Sequence, residues 1–442
     1  MAIHPKIIKG KLYQYRSLLS YFFLGLLFAA PFLKFNGEQL VLLNILERKF
    51  VFFGIIFWPQ DFYLFVLALL SFVVFIVLFT VVFGRVFCGW ACPQTIFLEM
   101  VFRKIEYWIE GEPPKQRKLN ERPMDLDKGM RKAAKHSIFF IISFFIANIF
   151  LAYVIGSDTL LSIITEPVST HLSGFISILI FTIIFYLVFS RVRSIVCTVI
   201  CPYGRLQGVL LDDQSMIVAY DYNRGEPRAK VQKGMKNLKG DCIDCKLCVQ
   251  VCPTGIDIRN GTQMECINCT ACIDACDMVM QKIERPLRLI GFKSEDEIKS
   301  NKPFRVSRKI YGYSAVLIVL LSALTFLMLS RSDVKTTMLR ASGTLYQMRD
   351  DKLVSNLYNA ELVNKTSKPL QFEIVPEDAS AKIQYIQKED KLEYGGTVKL
   401  TFFVLLPQDA VKQFKTEMKF KLLSDGKVID RFKTTFIAPP NN

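Results

Sequence analysis

The chain has 442 residues, 51 % of them apolar, with a net charge of +16. The apolar residues come in long blocks, which excludes a single soluble globule. The charge flanks those blocks as it does at a membrane surface, which argues against nucleic acid as a partner. The twelve cysteines fall in four groups between Cys88 and Cys276, a pattern of metal ligands in a reducing compartment rather than of a disulfide framework.

Residues 1–16 read as a cytoplasmic tail, and the apolar run behind them lacks a cleavage-site pattern, so it is read as a retained anchor. A bilayer core takes about 20 apolar residues of helix. Five stretches qualify: roughly 17–35, 62–83, 137–156, 174–192 and 310–330. The run at 50–58 is too short to span and is assigned to the interface. Lys and Arg number four in 1–16, eleven in 84–136 and twenty in 191–309, but two in 36–61 and none in 157–173. Thirty-five against two places the first set in the cytoplasm. Five spans then place 331–442 in the periplasm of a bacterial inner membrane. The eighteen basic residues of that segment do not oppose this, because long domains cross largely regardless of charge.

The first four spans read as a repeat. Each hairpin ends in a basic residue followed by Cys-x-x-x-Cys-Pro: FGRVFCGWACPQ after the second span, FSRVRSIVCTVICPYG after the fourth. Both copies point the same way, which suggests a pseudo-two-fold axis along the membrane normal. Pro93 and Pro202 break the preceding helix and open a new one. Cys92 and Cys201 then stand at helix N-termini, where the dipole favours the thiolate. The segment after Pro93 reads as an amphipathic helix on the membrane surface. Cys88, Cys92, Cys197 and Cys201 are candidate redox and metal residues against the alternative of small packing residues. Soft sulfur suits Cu(I), and a third iron–sulfur centre or a dithiol–disulfide couple also fits. His136, at the start of the third span, is the best placed of the three histidines as a weak further ligand. His4 and His171 read as tail and loop residues.

The loop between the fourth and fifth spans carries the strongest motif. Cys242, Cys245, Cys248 and Cys252 follow C-x2-C-x2-C-x3-C with Pro253 next, and Cys266, Cys269, Cys272 and Cys276 repeat it with Asp277 in place of the proline. In this two-cluster pattern the fourth cysteine serves the other cubane. One [4Fe–4S] cluster is expected on Cys242, Cys245, Cys248 and Cys276, the other on Cys266, Cys269, Cys272 and Cys252. Zinc, which also uses C-x2-C pairs, does not need the doubled register. Lys246, Arg259 and neighbouring cations read mainly as a solvated face, against the alternative that they tune the cluster potentials or dock an electron donor. No C-x-x-C-H and no glycine-rich dinucleotide fingerprint occurs, so covalent haem, flavin and nicotinamide have no support.

The fold class that results is a mainly α-helical membrane protein with five transmembrane helices, an inserted bacterial-type two-[4Fe–4S] ferredoxin and a C-terminal Ig-like β-sandwich. Its parts are a tail (1–16), a four-helix region with both Cys-x-x-x-Cys-Pro motifs (17–201), a cytoplasmic segment (202–309) holding the ferredoxin at about 238–282, a fifth span (310–330) and a periplasmic β-domain (331–442). The β-domain rests on six short runs, from NLYNAELVN to VIDRFKTTFI, several of them alternating apolar and polar residues and all separated by turn residues.

FGRVFCGWACPQT, CTVICPYGRLQG, RKAAKHSIFF, the two-cluster ferredoxin and LYNAELVNKTSKPLQFEI before a β-domain together resemble the cytochrome c oxidase accessory family called CcoG, FixG or RdxA, over essentially the whole chain. The resemblance implies a role in building the cbb3-type haem–copper oxidase, with electrons from the clusters reducing Cu(II) to Cu(I) for copper-delivery proteins. A quinol-linked membrane polyferredoxin and a non-enzymatic assembly factor are the competing readings. The electron donor and any homo-oligomer stay open.

Overall fold

A computed structural model describes residues 3–35, 37–45, 49–57, 61–229, 240–301, 303, 305–341, 343, 345–349, 353–366, 369–386, 389–393, 395–411, 413–424 and 426–439. The described residues fall into two compact units, one within 1–33, 42–46 and 65–324, the other within 34–41, 47–64 and 325–442.

The long helices are α1 (Lys11–Ala29), α2 (Phe62–Phe83), α3 (Arg103–Glu110), α4 (Leu126–Ile155), α5 (Leu172–Leu187), α6 (Pro202–Leu210), α7 (Ala271–Lys282) and α8 (Arg308–Leu329). Among the described residues four helices are long and apolar enough to cross a membrane: α2, α4, α5 with its continuation to Val192, and α8. Five were expected, and α1 is the one that falls short. It starts at Lys11 rather than 17, includes Arg16, and stops at Ala29 because Pro31 cannot continue a helix. Its apolar part, residues 18–29, covers only ~18 Å at ~1.5 Å per residue. Helix α4 begins well before its apolar run, since the Asp125 carboxylate caps it by accepting the Lys128 N–H at 2.9 Å.

In the first unit the helices meet around an aromatic core. Phe102 stacks on Phe189 at 4.5 Å and meets Phe139 edge-on at 4.8 Å. These contacts tie the segment after Pro93 to α4 and α5. That segment runs from Pro93–Ile96 through a π-helical turn, Phe97–Phe102, into α3. Helix α3 turns its charged face inward. Arg103, Glu106 and Glu110 are buried, while Trp108 is 80 % exposed, in the position of an interfacial aromatic anchor. Lys135 of α4 reaches Glu110 at 2.9 Å, and Arg193 pairs with Glu106.

The ferredoxin lies in the same unit. Two antiparallel strands, β3 (Ile217–Tyr220) and β4 (Ile290–Lys293), close the segment, and Ile273, Met280, Leu289 and Ile290 form its core with the cluster cysteines. Its expected start at 238 lies outside the described residues. Pro253 ends a one-turn helix at Gln250, whereas Asp277 lets α7 run on to Lys282 and accepts the Arg288 N–H at 2.7 Å. The missing proline thus changes helix length and not the cysteine register.

In the second unit the run at 49–57 is a hairpin, β1 (Lys49–Phe52) and β2 (Ile55–Phe57), turning on Phe53 and Gly54, both at positive φ. The expected interfacial segment is therefore a β-element of this unit. One sheet has the order β8 (Lys382–Tyr385), β9 (Thr397–Pro407), β6 (Leu353–Asn364), β5 (Val334–Arg340), and the other the order β7 (Glu373–Pro376), β10 (Lys415–Ser424), β11 (Lys427–Ile437). Alternate residues point inward: Leu400, Phe402, Val404 and Leu406 from one sheet, Met418, Phe420 and Leu422 from the other. Asp61, 2 % exposed, pairs with Arg331 and Lys365, each at 2.5 Å.

Candidate functional site

The ferredoxin thiols line two pockets of about 350 and 360 Å³, open solvent at their mouths included. One is lined by Cys242, Cys245, Cys248 and Cys276 among apolar side chains. The other is lined by Cys252, Cys266, Cys269 and Cys272, with Cys248 at its wall. Each C-x2-C turn is built alike. Asp244 and Lys246 in the first copy, and Asn268 and Thr270 in the second, hold positive φ. Alternating right- and left-handed residues curl backbone N–H groups into an anion-binding concavity, and Asp and Asn tolerate that conformation better than most. Thiols on the walls, apolar lining and curled amides fit an iron–sulfur cluster in each pocket. Among the described residues no three His, Cys, Asp or Glu side chains are arranged around a single bare ion.

The two pockets differ in access and charge. Cys245 and Lys246 are exposed. Arg259 is buried instead of belonging to the solvated face expected for it, and it is held by Asp244 and Asp257 at 2.6 Å each. These carboxylates push its pKa up.

The membrane-face cysteines adjoin the second pocket. Cys92 and Cys201 are extended residues immediately before Pro93 and Pro202, which occupy the first turns of new helices. Cys88 is buried against Ile267 and Cys269. The junction is tight. A Cβ on Gly89 would stand 2.4 Å from the Ile267 carbonyl oxygen and 2.9 Å from the Cys269 Cα. The Trp90 indole donates to the Asn268 carbonyl at 3.2 Å, and Arg85 donates to the Met264 carbonyl.

The second copy closes the site from the other side. A Cβ on Gly204 would meet the Arg85 guanidinium at 2.7 Å and the Cys197 carbonyl at 2.8 Å. Through Gln207 and Gly204 of α6 the two copies adjoin, which brings the segment of Cys88 and Cys92 beside that of Cys197 and Cys201. Cys88 Sγ donates to Gln207 Oε1 at 3.0 Å, and the Gln207 amide donates to Thr80 and Tyr203 at 3.1 and 2.8 Å.

Burial pushes the Cys88 thiol up to about 12 and Cys197 up to about 11. Burial also raises Cys92, although the N–H groups of Thr95 and Gln94 pull it down. The expected lowering at this helix start is therefore outweighed by desolvation. Without a cation Cys88, Cys92 and Cys197 are held as thiols, and a soft cation would displace their protons.

His136 is not part of this group. Its Nδ1 faces the Tyr186 hydroxyl at 2.9 Å. His171 pairs with Glu166 at 2.7 Å, and His4 lies beside Gln116. Gln207, Gly89 and the role of Arg85 were not read from the sequence. Arg85 had a signal, the basic residue ahead of the first Cys-x-x-x-Cys-Pro, whereas Gln207 had none.

Residues 192–295 match the family described as "4Fe-4S dicluster domain", and residues 324–439 match one described as "IG-like fold at C-terminal of FixG". Residues 65–113 and 170–213, the two Cys-x-x-x-Cys-Pro copies, both match one described as "4Fe-4S binding domain". Protein RdxB of Cereibacter sphaeroides is 34 % identical over 393 residues, 84 % of this chain and 81 % of the relative. Protein RdxA of the same organism is 32 % identical over 400 residues, 86 % and 83 %. Nitrogen fixation protein FixG of Rhizobium meliloti is 36 % identical over 314 residues, 69 % of this chain but 59 % of that protein. A crystal structure of a FixG-related protein from Vibrio parahaemolyticus aligns over 24 % of this chain and 97 % of its own, at 17 % identity and a TM-score of 0.22, too low to carry weight. Coverage of more than four-fifths of RdxA and RdxB, with an iron–sulfur segment and a C-terminal domain that match family by family, makes this chain a member of the FixG/RdxA family of iron–sulfur proteins.

Proposed function

We propose that this chain is a membrane-bound electron-transfer protein that reduces Cu(II) to Cu(I) at the cytoplasmic face of a bacterial inner membrane, for assembly of a cbb3-type cytochrome c oxidase. The observation that carries the reading is the contact of Cys88 with Ile267 and Cys269. It sets a group of soft ligands against the wall of an iron–sulfur pocket. In this reading Cys242, Cys245, Cys248 and Cys276 hold one [4Fe–4S] cluster, and Cys266, Cys269, Cys272 and Cys252 hold the other. When bound, the clusters supply one-electron chemistry at low potential.

The chain's own residues set the path. Exposed Cys245 presents the first pocket to a soluble reductant, and bare Gly89 lets the second pocket close on the membrane-face site. Cu(II) enters as substrate, accepts one electron and leaves as Cu(I). Thiolates favour the softer ion, and the protons they shed on binding go to water. Gln207 fixes the Cys88 sulfur by accepting its S–H. The cbb3-type oxidase and copper-delivery proteins are the partners in this reading, and His136 is left out of the site.

A second reading has one observation in its favour. The family matching both Cys-x-x-x-Cys-Pro copies is described as binding a 4Fe–4S cluster, so the four thiols would hold a third one. Metal content and copper reduction in anaerobically purified protein separate the two. The copper reading expects about eight irons per chain, four for each cubane, both in the intact protein and after Cys88→Ser/Cys92→Ser or Cys197→Ser/Cys201→Ser. It also expects loss of Cu(II) reduction by the dithionite-charged variants. About twelve irons in the intact protein, falling by about four in the variants, would favour the third cluster. Reduction at the undiminished rate would remove these cysteines from the function.

A further inference from the structure

Two buried arginines from outside the ferredoxin motif, Arg16 and Arg85, belong to elements that pack beside the second ferredoxin pocket. Arg16 lies on α1, whose start is fixed to the ferredoxin: the Leu12 and Tyr13 N–H groups donate to the Asp274 carboxylate of α7 at 3.2 and 2.7 Å. One turn on, Arg16 is only 4 % exposed, and its Nε and Nη2 have no hydrogen-bond partner. A buried guanidinium with idle donors is costly unless a negative group compensates it. The anchoring carboxylate, Asp274, stands two residues after Cys272, a thiol of the second pocket. Arg85 approaches from the membrane side. It is buried, its Nε is also unpartnered, and it lines one cavity together with Cys266 and Asn268.

The first pocket is arranged differently. Its buried cation, Arg259, is spent on two carboxylates, Asp244 and Asp257. Asp277, directly after Cys276, adds negative charge on that side and is only partly offset by Arg288 at 3.4 Å.

We propose that Arg16 and Arg85 are positioning residues that make the cluster held by Cys266, Cys269 and Cys272 the higher-potential of the two, so that an electron entering at exposed Cys245 comes to rest beside Cys88. Reduction adds one negative charge to a cluster. Unneutralised cations in a low-dielectric wall stabilise that charge, and neutralised ones do so far less. The idle donors also suit the sulfur atoms of an anionic group, since hydrogen bonds to cluster sulfurs raise the potential. The inference rests on the cluster assignment proposed above and is independent of copper.

The test is a potentiometric titration, followed by electron paramagnetic resonance, of the full-length protein in detergent without copper. Two waves are expected. Cys245→Ser, altered at a ligand of the first pocket, should change the lower wave. Arg16→Gln should move the upper wave down by a factor of at least about ten in the reduction equilibrium, which is ~59 mV for one electron. It should leave the lower wave in place, and Arg16→Lys should retain most of the original potential. Arg85→Gln carries the same expectation if Arg16→Gln loses iron. An upper wave that answers to Cys245→Ser inverts the order and overturns the proposal whatever the arginine variants do. So does an upper wave unmoved by neutralising either arginine while iron stays at about eight per chain. Failure of copper reduction alongside the expected potentials would count against the cupric reading only.

Discussion

Cys252 is the residue whose sequence neighbours and spatial neighbours disagree. It follows Cys248 in the first motif yet lines the pocket of Cys266, Cys269 and Cys272. Its Sγ lies 3.3 Å from the Thr254 hydroxyl, outside the first pocket's wall. Pro253 is the physical reason. It cannot extend the Leu247–Gln250 helix, so the chain leaves the first pocket at that point. Cys252→Ala is therefore expected to alter the cluster on Cys266, Cys269 and Cys272. The spectra of Cys252→Ala should match those of Cys269→Ala and differ from those of Cys245→Ala. The opposite pairing would mean that each run closes its own cluster.

At the scale of elements, the sequence carried what repeats and hid what depends on contact. The doubled cysteine register, the span at 62–83 and the breaks at Pro93 and Pro202 were legible because spacing, apolar length and proline act locally. Strand β5 was missed. Its inward residues are Val334, Thr336 and Met338, and a threonine in the core-facing row weakens the period-two signal. The segment after Pro93 reads as an amphipathic helix on the membrane surface, but ion pairs with Lys135 and Arg193 draw the charged face of α3 inside. No local pattern announces partners that lie so far along the chain. The seating of Cys88 on the ferredoxin was likewise invisible, because it depends on Gly89 having no side chain.

Gly89→Ala tests that seating. The new Cβ would meet three backbone atoms, which yield less readily than a side-chain tip. Overpacking of this kind costs about 1–3 kcal/mol. Displacement of the 266–270 loop should perturb the spectrum of the second cluster and slow Cu(II) reduction, with iron content unchanged. Gly129→Ala on α4, where nothing stands within 4 Å of the new atom, is the matched control and should leave both readings alone. In the second unit, Asp61→Ala should strand Arg331 and Lys365. Removing one partner of a buried ion pair costs about 3–5 kcal/mol, so the amides of β5 and β6 should exchange hydrogen faster than in the unaltered protein.

For the whole molecule, membrane crossing is set by charge and by connectivity together. The proposed arrangement puts residues 1–16, 84–136 and 191–309 in the cytoplasm, with 36–61, 157–173 and 331–442 in the periplasm, because thirty-five basic residues lie in the first set against two in the short loops of the second. Helix α1 is the doubtful crossing by length, yet its start is tied to the ferredoxin by Asp274. The chain that leaves it enters residues 34–41, which belong to the same compact unit as 325–442. If the ferredoxin is cytoplasmic and that unit periplasmic, α1 has to carry the chain across, with Ala30–Leu33 extending its short apolar run. Fusions of a reporter active only in the periplasm, placed after Asn44, Asn301 and Asn442, test each step. Activity is expected at Asn44 and Asn442 and none at Asn301. Because α2, α4, α5 and α8 all lie between Asn44 and Asn442, four crossings put both positions on one side; a silent fusion at Asn44 with an active one at Asn442 would mean that one of these four helices does not cross, and activity at Asn301 with silence at the other two would reverse the whole orientation.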